Sequence, residues 1–149
     1  MQVAQGRAAA DGRLAPGRFA DPVAARLLRP DERPPVERVR DGAGPRSWRD
    51  RVDDEAVKAT AELMAPRTVA IDDAVRDHPT SQLVILGAGL DGRAWRMPEL
   101  DRVLVYEVDQ PASQQDKRDR AVALPGPGPV FVPVDFGRDR LDVALAAAG

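Results

Sequence analysis

Three short runs of branched apolar residues in the second half of the chain constrain its fold more than any other feature. They are QLVIL (82–86), VLVYEVD (103–109) and VFVPVD (130–135). Short continuous runs of this kind are typical of strands buried on both faces of a parallel sheet. A segment of helical character follows each run: GRAWRMPEL, PASQQDKRDRAVA and DRLDVALAAAG. The alternation predicts an α/β fold with right-handed crossovers, equal to half of a doubly wound sheet.

The first 79 residues have a different pattern, which predicts a helical N-terminal region before the α/β part at 80–149. Asp21 followed by Pro22 indicates a helix start, because Asp caps free N–H groups and Pro fits the first turn. The apolar residues after it recur on one helical face: Val23, Ala24, Leu27 and Leu28. Residues 29–46 are rich in proline, glycine and charge, and we expect them to form an exposed loop.

A second helical pattern begins at Ser47, which has Asp50 three residues later in a weaker form of the capping box. Its apolar spacing predicts a buried stripe made of Val52, Ala56, Ala59 and Leu63. We expect Pro66 to break this helix and open another, which carries Ile71, Ala74 and Val75 and ends at His78 before Pro79.

The composition excludes several classes of protein. The chain has no cysteine and one histidine, so disulfides, thiolate nucleophiles and histidine-based metal sites are hard to build. The 22 basic and 24 acidic residues are interspersed, which leaves no basic patch for nucleic acid. No stretch approaches the roughly 20 apolar residues that cross a bilayer, and the N-terminus lacks a signal-peptide core. We therefore expect a cytoplasmic protein that uses an organic cofactor or only carboxylates.

The first apolar run continues into LGAGLDGRAWR, where Gly87, Gly89 and Gly92 have the GxGxxG spacing. Glycine suits this position because the backbone turns sharply and must approach a ligand without an intervening Cβ. About 20 residues downstream, Glu107 and Asp109 end the second predicted strand. A carboxylate at the end of that strand accepts hydrogen bonds from both ribose hydroxyls of an adenosine cofactor. Asp109 is the better candidate, whereas Glu107 lies deeper and is equally consistent with a paired buried acid.

The third predicted strand ends at Asp135 and Phe136, again at the edge where open α/β sheets bind ligands. Asp135 could accept a hydrogen bond from an adenine amino group, and Phe136 could provide an apolar wall. The alternative is that Asp135 only begins the turn before the last helix.

These features fit NAD(P) as well as S-adenosylmethionine, so the residues alone leave an oxidoreductase and a methyltransferase open. The bulky Arg93, Trp95 and Arg96 after the glycines favour S-adenosylmethionine. A dinucleotide site prefers small residues where the helix packs against the pyrophosphate, and S-adenosylmethionine has no pyrophosphate.

The strings LGAGLDGRAWRM, VYEVDQPASQQDK and FVPVDF, in this order and spacing, resemble the leucine carboxyl methyltransferase family, especially its bacterial S-adenosylmethionine-dependent branch. PRTVAIDDAV and FADPVAARLL are similar to the same branch, so the resemblance extends from about residue 18 to residue 149. It implies a helical region followed by the N-terminal half of a Rossmann-like class I methyltransferase fold with three parallel strands.

The resemblance also implies a role for individual residues. Gly87 and Gly89 would pass under the methionine part of the cofactor, and Asp109 would hold the ribose. Asp135 and Phe136 would flank the adenine. Arg67 matches a family arginine that pairs with the methionine carboxylate, although an exposed helical arginine is the alternative. No residue of the chain can be named as a catalytic base.

The family domain is about twice as long as this chain, so the resemblance implies that the remaining strands and most of the acceptor surface lie outside it. A carboxylate or hydroxyl oxygen on an unknown small molecule or protein is the expected acceptor. A non-catalytic methyltransferase remnant is a further alternative. In the family's strand order the first strand is central, so Leu83 to Leu86 would form an open apolar edge prone to self-association. His78, Tyr106 and Trp48 are expected to be structural.

Overall fold

The computed structural model describes residues 1–149, which divide into two compact units, Met1–His78 and Pro79–Gly149. No helix in it combines the length and the apolar character that a membrane span requires. The helices of the first unit are α1 (Gln2–Ala10), α2 (Pro22–Arg26), α3 (Pro34–Asp41) and α4 (Trp48–Asp77). The second unit contains β1 (Gln82–Leu86), α5 (Arg93–Arg96), β2 (Leu104–Asp109), α6 (Pro111–Ala121), β3 (Val130–Pro133) and α7 (Leu141–Ala148). Two single-turn 3-10 helices, Pro30–Glu32 and Pro98–Leu100, complete the list.

Helix α1 packs closely against α4. Seven of its nine residues are buried. A Cβ added to Gly6 would lie 2.5 Å from the Thr60 Cγ2 atom and 2.8 Å from the Thr60 carbonyl carbon. The two helices therefore approach closely only because Gly6 has no side chain.

The predicted start of α2 is confirmed. The Asp21 side chain accepts a hydrogen bond from the Ala24 amide at 3.0 Å, and Pro22 occupies the first helical position. Asp21 is fully buried and also forms an ion pair with Arg7 of α1 at 3.1 Å. All four apolar residues predicted for the inner face are buried: Val23, Ala24, Leu27 and Leu28.

The predicted loop at 29–46 is wrong, because this segment contains a 3-10 helix and α3. Pro34 and Pro35 occupy the first turn of α3, where their missing N–H groups cost nothing, and Val36 is buried. Gly42 ends the helix with a left-handed backbone at φ +68°. Arg38 of α3 binds Asp54 of α4 at 2.8 Å, so the charges that suggested a loop instead join two helices.

The predicted start of α4 at Ser47 is confirmed, since its hydroxyl accepts a hydrogen bond from the Asp50 amide at 3.1 Å. The predicted break at Pro66 is wrong: α4 is one helix of 30 residues with Pro66 inside it and His78 at its C-terminal end. The predicted buried stripe is also wrong, with Val52 57% exposed and Leu63 65% exposed. The buried face instead includes three polar residues, Asp54, Thr68 and Asp72, which a count of apolar spacing ignores. Its apolar members are Val57, Ala61, Met64, Ala65 and Val69. Ile71, an apolar residue of the helix predicted after Pro66, is exposed.

The predicted α/β class of the second unit is confirmed by a three-stranded parallel sheet of order β1-β2-β3. Val84 pairs with Tyr106, and Val108 pairs with Val132. Strand β1 has the predicted bounds, whereas β2 begins one residue later and β3 ends two residues earlier than expected. The predicted helix after β1 is reduced to four residues and a 3-10 turn, because Pro98 interrupts it.

Burial of every strand on both faces was predicted, and for β1 this is wrong. Helix α7 packs over a cluster on one face of β2 and β3, made of Tyr106, Val108, Val132 and Val134. On the same face, β1 keeps Val84 41% exposed and Leu86 56% exposed. Strand β1 lies at the edge of the sheet, and α7 does not cover its apolar side chains on this face.

We propose that the unpaired edge of β1 associates with a second copy of the chain, because an apolar edge strand is a template for pairing. Sedimentation velocity should show association that increases with protein concentration. The substitution Val84→Lys should weaken it, since a charge on an edge strand opposes pairing. Val143→Lys, at an exposed position of α7, is the matched control and should leave it unchanged. A sharp monomeric species with cooperative unfolding at all concentrations would contradict the proposal.

Candidate functional site

The glycine loop, defined here as residues 87–92 between β1 and α5, has a backbone that requires glycine at two positions. Gly87 has φ +61° and Gly89 has φ +48°, in the left-handed region that costs other residues roughly 1–2 kcal/mol. A Cβ built on either glycine would meet no atom within 4 Å, so the space beside them is open. The sequence prediction of a sharp turn with free space above its backbone is consistent with this geometry.

Asp109 lies at the C-terminal end of β2, directly beside the glycine loop. Its Oδ2 atom accepts a hydrogen bond from the Gly89 amide at 2.6 Å, and its Oδ1 atom accepts one from the Gln110 amide at 2.7 Å. The Ala88 amide donates to the Val108 carbonyl at 3.2 Å in the same region. The structure thus brings together two of the predicted site residues, one from the loop and one from the second strand.

Asp135 and Phe136 follow β3 in a turn at the same edge of the sheet. The Val134 amide donates to the Asp109 carbonyl at 2.9 Å, which joins the end of β3 to the end of β2. Asp135 Oδ1 accepts a hydrogen bond from the Gly137 amide at 3.0 Å, as expected of a residue that begins a turn. Phe136 is 52% exposed, so its ring is accessible at this edge.

Glu107 is fully buried and forms an ion pair with Lys117 of α6. This arrangement agrees with the predicted alternative that Glu107 is a paired buried acid. Because side chains alternate along a strand, Glu107 faces the opposite side of the sheet from Tyr106 and Val108.

Arg67, the remaining predicted residue, lies in the first unit on α4. It is exposed, and its Nη1 atom is 3.9 Å from the Met64 sulfur. Its role toward a cofactor stays a prediction.

Sequence reasoning missed three buried polar residues of the second unit, namely Asp91 in the glycine loop and both Gln114 and Lys117 on α6. One signal could have identified Lys117. A carboxylate in an apolar strand, such as Glu107, requires a cationic partner, and Lys117 is on the helix that follows that strand. The Lys117 ammonium also lies 5.4 Å from the centre of the Trp95 ring.

A parallel sheet with a glycine turn after its first strand and an acid at the end of its second defines a Rossmann-like α/β domain. Comparison with known families is more specific. The model of the leucine carboxyl methyltransferase family matches residues 1–149, and the chain belongs to that family.

Individual relatives are similar over part of the chain. A protein of Mycolicibacterium gilvum, named "Putative S-adenosyl-L-methionine-dependent methyltransferase", is 40% identical over 115 residues, which are 73% of this chain and 44% of the relative. Proteins with similar names from Mycobacterium tuberculosis and Mycolicibacterium smegmatis are 38% and 41% identical over 56% and 62% of this chain. Those alignments cover 28% and 32% of the relatives, so the chain matches less than half the length of each.

Replacing Asp109 with asparagine should weaken the link between β2 and the glycine loop. An amide group can accept on only one side, so either Gly89 or Gln110 loses its acceptor. We expect Asp109→Asn to lower the free energy of unfolding by about 1–3 kcal/mol, measured by urea denaturation. Asp142→Asn is the control, because the Asp142 side chain is exposed and pairs with the exposed Arg140, so the substitution should leave the stability nearly unchanged. Equal losses in the two variants would contradict this role of Asp109.

Proposed function

We propose that the whole protein transfers a methyl group from S-adenosylmethionine, and that this chain contributes the cofactor site. One observation carries the proposal: the Asp109 carboxylate lies at the open glycine loop, hydrogen-bonded to Gly89 at 2.6 Å. Membership of the leucine carboxyl methyltransferase family and the names of the relatives support the same reaction.

The residues at the strand ends fit the cofactor chemically. A carboxylate accepts about four hydrogen bonds, and the two amides at Asp109 leave capacity for the two ribose hydroxyls. The open space beside Gly87 and Gly89 suits the methionine part, which a Cβ there would obstruct. Asp135 and Phe136 would bind the adenine, and Arg67 would pair with the methionine carboxylate.

In the proposed reaction the residues of this chain bind and orient the cofactor. The sulfonium group of S-adenosylmethionine supplies an already activated methyl group. Orientation for in-line attack needs little acid–base chemistry, which agrees with a chain that has no cysteine and one histidine. We propose a carboxylate or hydroxyl oxygen of a small molecule or protein as the acceptor. A cytoplasmic location, without nucleic acid or membrane partners, is part of the same proposal.

An NAD(P)-dependent oxidoreductase is the competing function, and the start of α5 argues against it. In dinucleotide sites the pyrophosphate binds the free amides at the helix N-terminus. Here the Arg93 amide already donates to Asp91 Oδ1 at 2.8 Å, so this amide is not available to bind a pyrophosphate. Helix α5 also has only four residues. A non-catalytic methyltransferase remnant would keep the fold without the binding.

Thermal unfolding with added cofactors tests the proposal against both alternatives. At a concentration of about 100 times the Kd, S-adenosylmethionine or S-adenosylhomocysteine should stabilise the chain by about 2.7 kcal/mol, whereas NADH should not. Asp109→Asn should reduce the stabilisation and Asp142→Asn should not. A selective response to NADH would support the oxidoreductase, and no response to any of the three would support the remnant.

The proposed role of Arg67 is testable with a ligand that lacks the amino acid group. Arg67→Gln should weaken S-adenosylhomocysteine binding about tenfold or more, because a charged hydrogen bond to the carboxylate is lost. The affinity for 5′-methylthioadenosine, which has no carboxylate, should not change. Isothermal titration calorimetry measures both, with Arg51→Gln, an exposed position of the same helix, as control. An equal loss for both ligands would show that Arg67 acts on the fold and not on the carboxylate.

A further inference from the structure

The face of α6 that packs on the sheet is polar, which is unusual for a crossover helix. Its buried residues are Gln114, 3% exposed, and Lys117, 1% exposed. Helices on a parallel sheet normally bury apolar side chains there, because burying polar groups is costly unless each is bonded. The two side chains must therefore be held by specific partners.

Gln114 joins the two strands beneath it. Its Nε2 atom donates to the Glu107 carbonyl of β2 and, at 3.0 Å, to the Val132 carbonyl of β3. These bonds fix the position of α6 on the sheet and hence the position of Lys117 one turn later.

Lys117 connects three parts of the unit through one ammonium group. It forms an ion pair with the Glu107 carboxylate of β2 and donates to the Asp91 carbonyl of the glycine loop at 2.6 Å. It also lies over the ring of Trp95 in α5. The strand, the loop and the short helix after it thus share a single buried cation.

Stability alone does not account for this pair. Removing two charges from water costs about as much as their attraction returns, so well-packed apolar residues of similar volume are often as stable. An apolar side chain, however, cannot donate to the Asp91 carbonyl. That hydrogen bond is the contribution for which a lysine is required.

Asp91 belongs to the glycine loop, where the cofactor is proposed to bind. Its amide donates to the Ala88 carbonyl at 2.8 Å, and its carboxylate accepts from the Arg93 amide. Asp109 holds the loop at Gly89, and Lys117 holds it at Asp91, two residues further along. Two separate hydrogen bonds, one to β2 and one to α6, therefore hold the glycine loop in place.

We propose that Glu107 and Lys117 form a loop clamp, a buried ion pair whose role is to position the glycine loop for the cofactor. Lys117 is then a positioning residue for the S-adenosylmethionine site, and this role rests on the function proposed above. The clamp acts through the Asp91 carbonyl and touches no cofactor atom.

Amide hydrogen exchange of the 149-residue chain, without cofactor, tests the clamp directly. The double variant Glu107→Leu/Lys117→Met removes both charges and keeps apolar volume, so the unit should still fold, as judged by circular dichroism. We expect the amides of Ala88, Gly89 and Asp91 to exchange about tenfold faster relative to those of β2 and β3. The single variant Lys117→Met should be less stable than the double variant, because Glu107 loses its lysine.

Val132→Ala is the matched control, because it weakens the core under α7 on the opposite face of the sheet. Its loss of stability should raise exchange in loop and strands alike. S-adenosylhomocysteine affinity gives a second measurement: about tenfold weaker in the double variant and within about twofold of the native value in Val132→Ala.

The clamp proposal would be overturned if, in the double variant, the amide exchange rates of the glycine loop rose only as much as those of β2 and β3. Failure of the double variant to fold would also overturn it, because the pair would then be required by the whole unit. If the native chain does not bind S-adenosylhomocysteine, the proposed function fails, while the exchange measurement still decides whether Lys117 positions the loop.

Discussion

The hydrogen bond from the Gly89 amide to the Asp109 carboxylate is the contact on which the candidate site depends. It can form only because β1 and β2 are parallel neighbours, which places the residues that follow both strands at one edge of the sheet. The turn that carries this amide has positive φ at both Gly87 and Gly89, which glycine adopts without steric cost. The parallel pairing of β1 and β2, the glycine turn and the Asp109 carboxylate are therefore all needed for this hydrogen bond to form.

Features with a local physical cause could be predicted from the sequence. The three strands are continuous branched apolar runs, the caps of α2 and α4 are side chains that bind amides three residues away, and the glycine loop requires positive φ. None of these depends on a distant part of the chain. The position of Asp109 was predictable for the same reason, because the end of a strand in a parallel sheet fixes the edge at which its residue lies.

Features that depend on tertiary partners could not be predicted in this way. The buried face of α4 was misassigned because it includes Asp54, whose burial is acceptable only beside Arg38 from α3. Helix α3 was missed because its prolines resemble those of a loop until their place in the first turn is known. Lys117 was missed for a similar reason, since a lysine in a charged helix normally faces solvent and only the carboxylate on β2 makes its burial possible.

The contact between Gly6 and Thr60 has a consequence for the alignment of two helices. Helix α1 contains one glycine, and a slide of one turn, about 5.4 Å, would place a residue with a Cβ opposite Thr60. Because such a Cβ has no room, steric exclusion favours the alignment of α1 along α4 that places Gly6 opposite Thr60. The absence of a side chain at one position thus determines how α1 is aligned along α4.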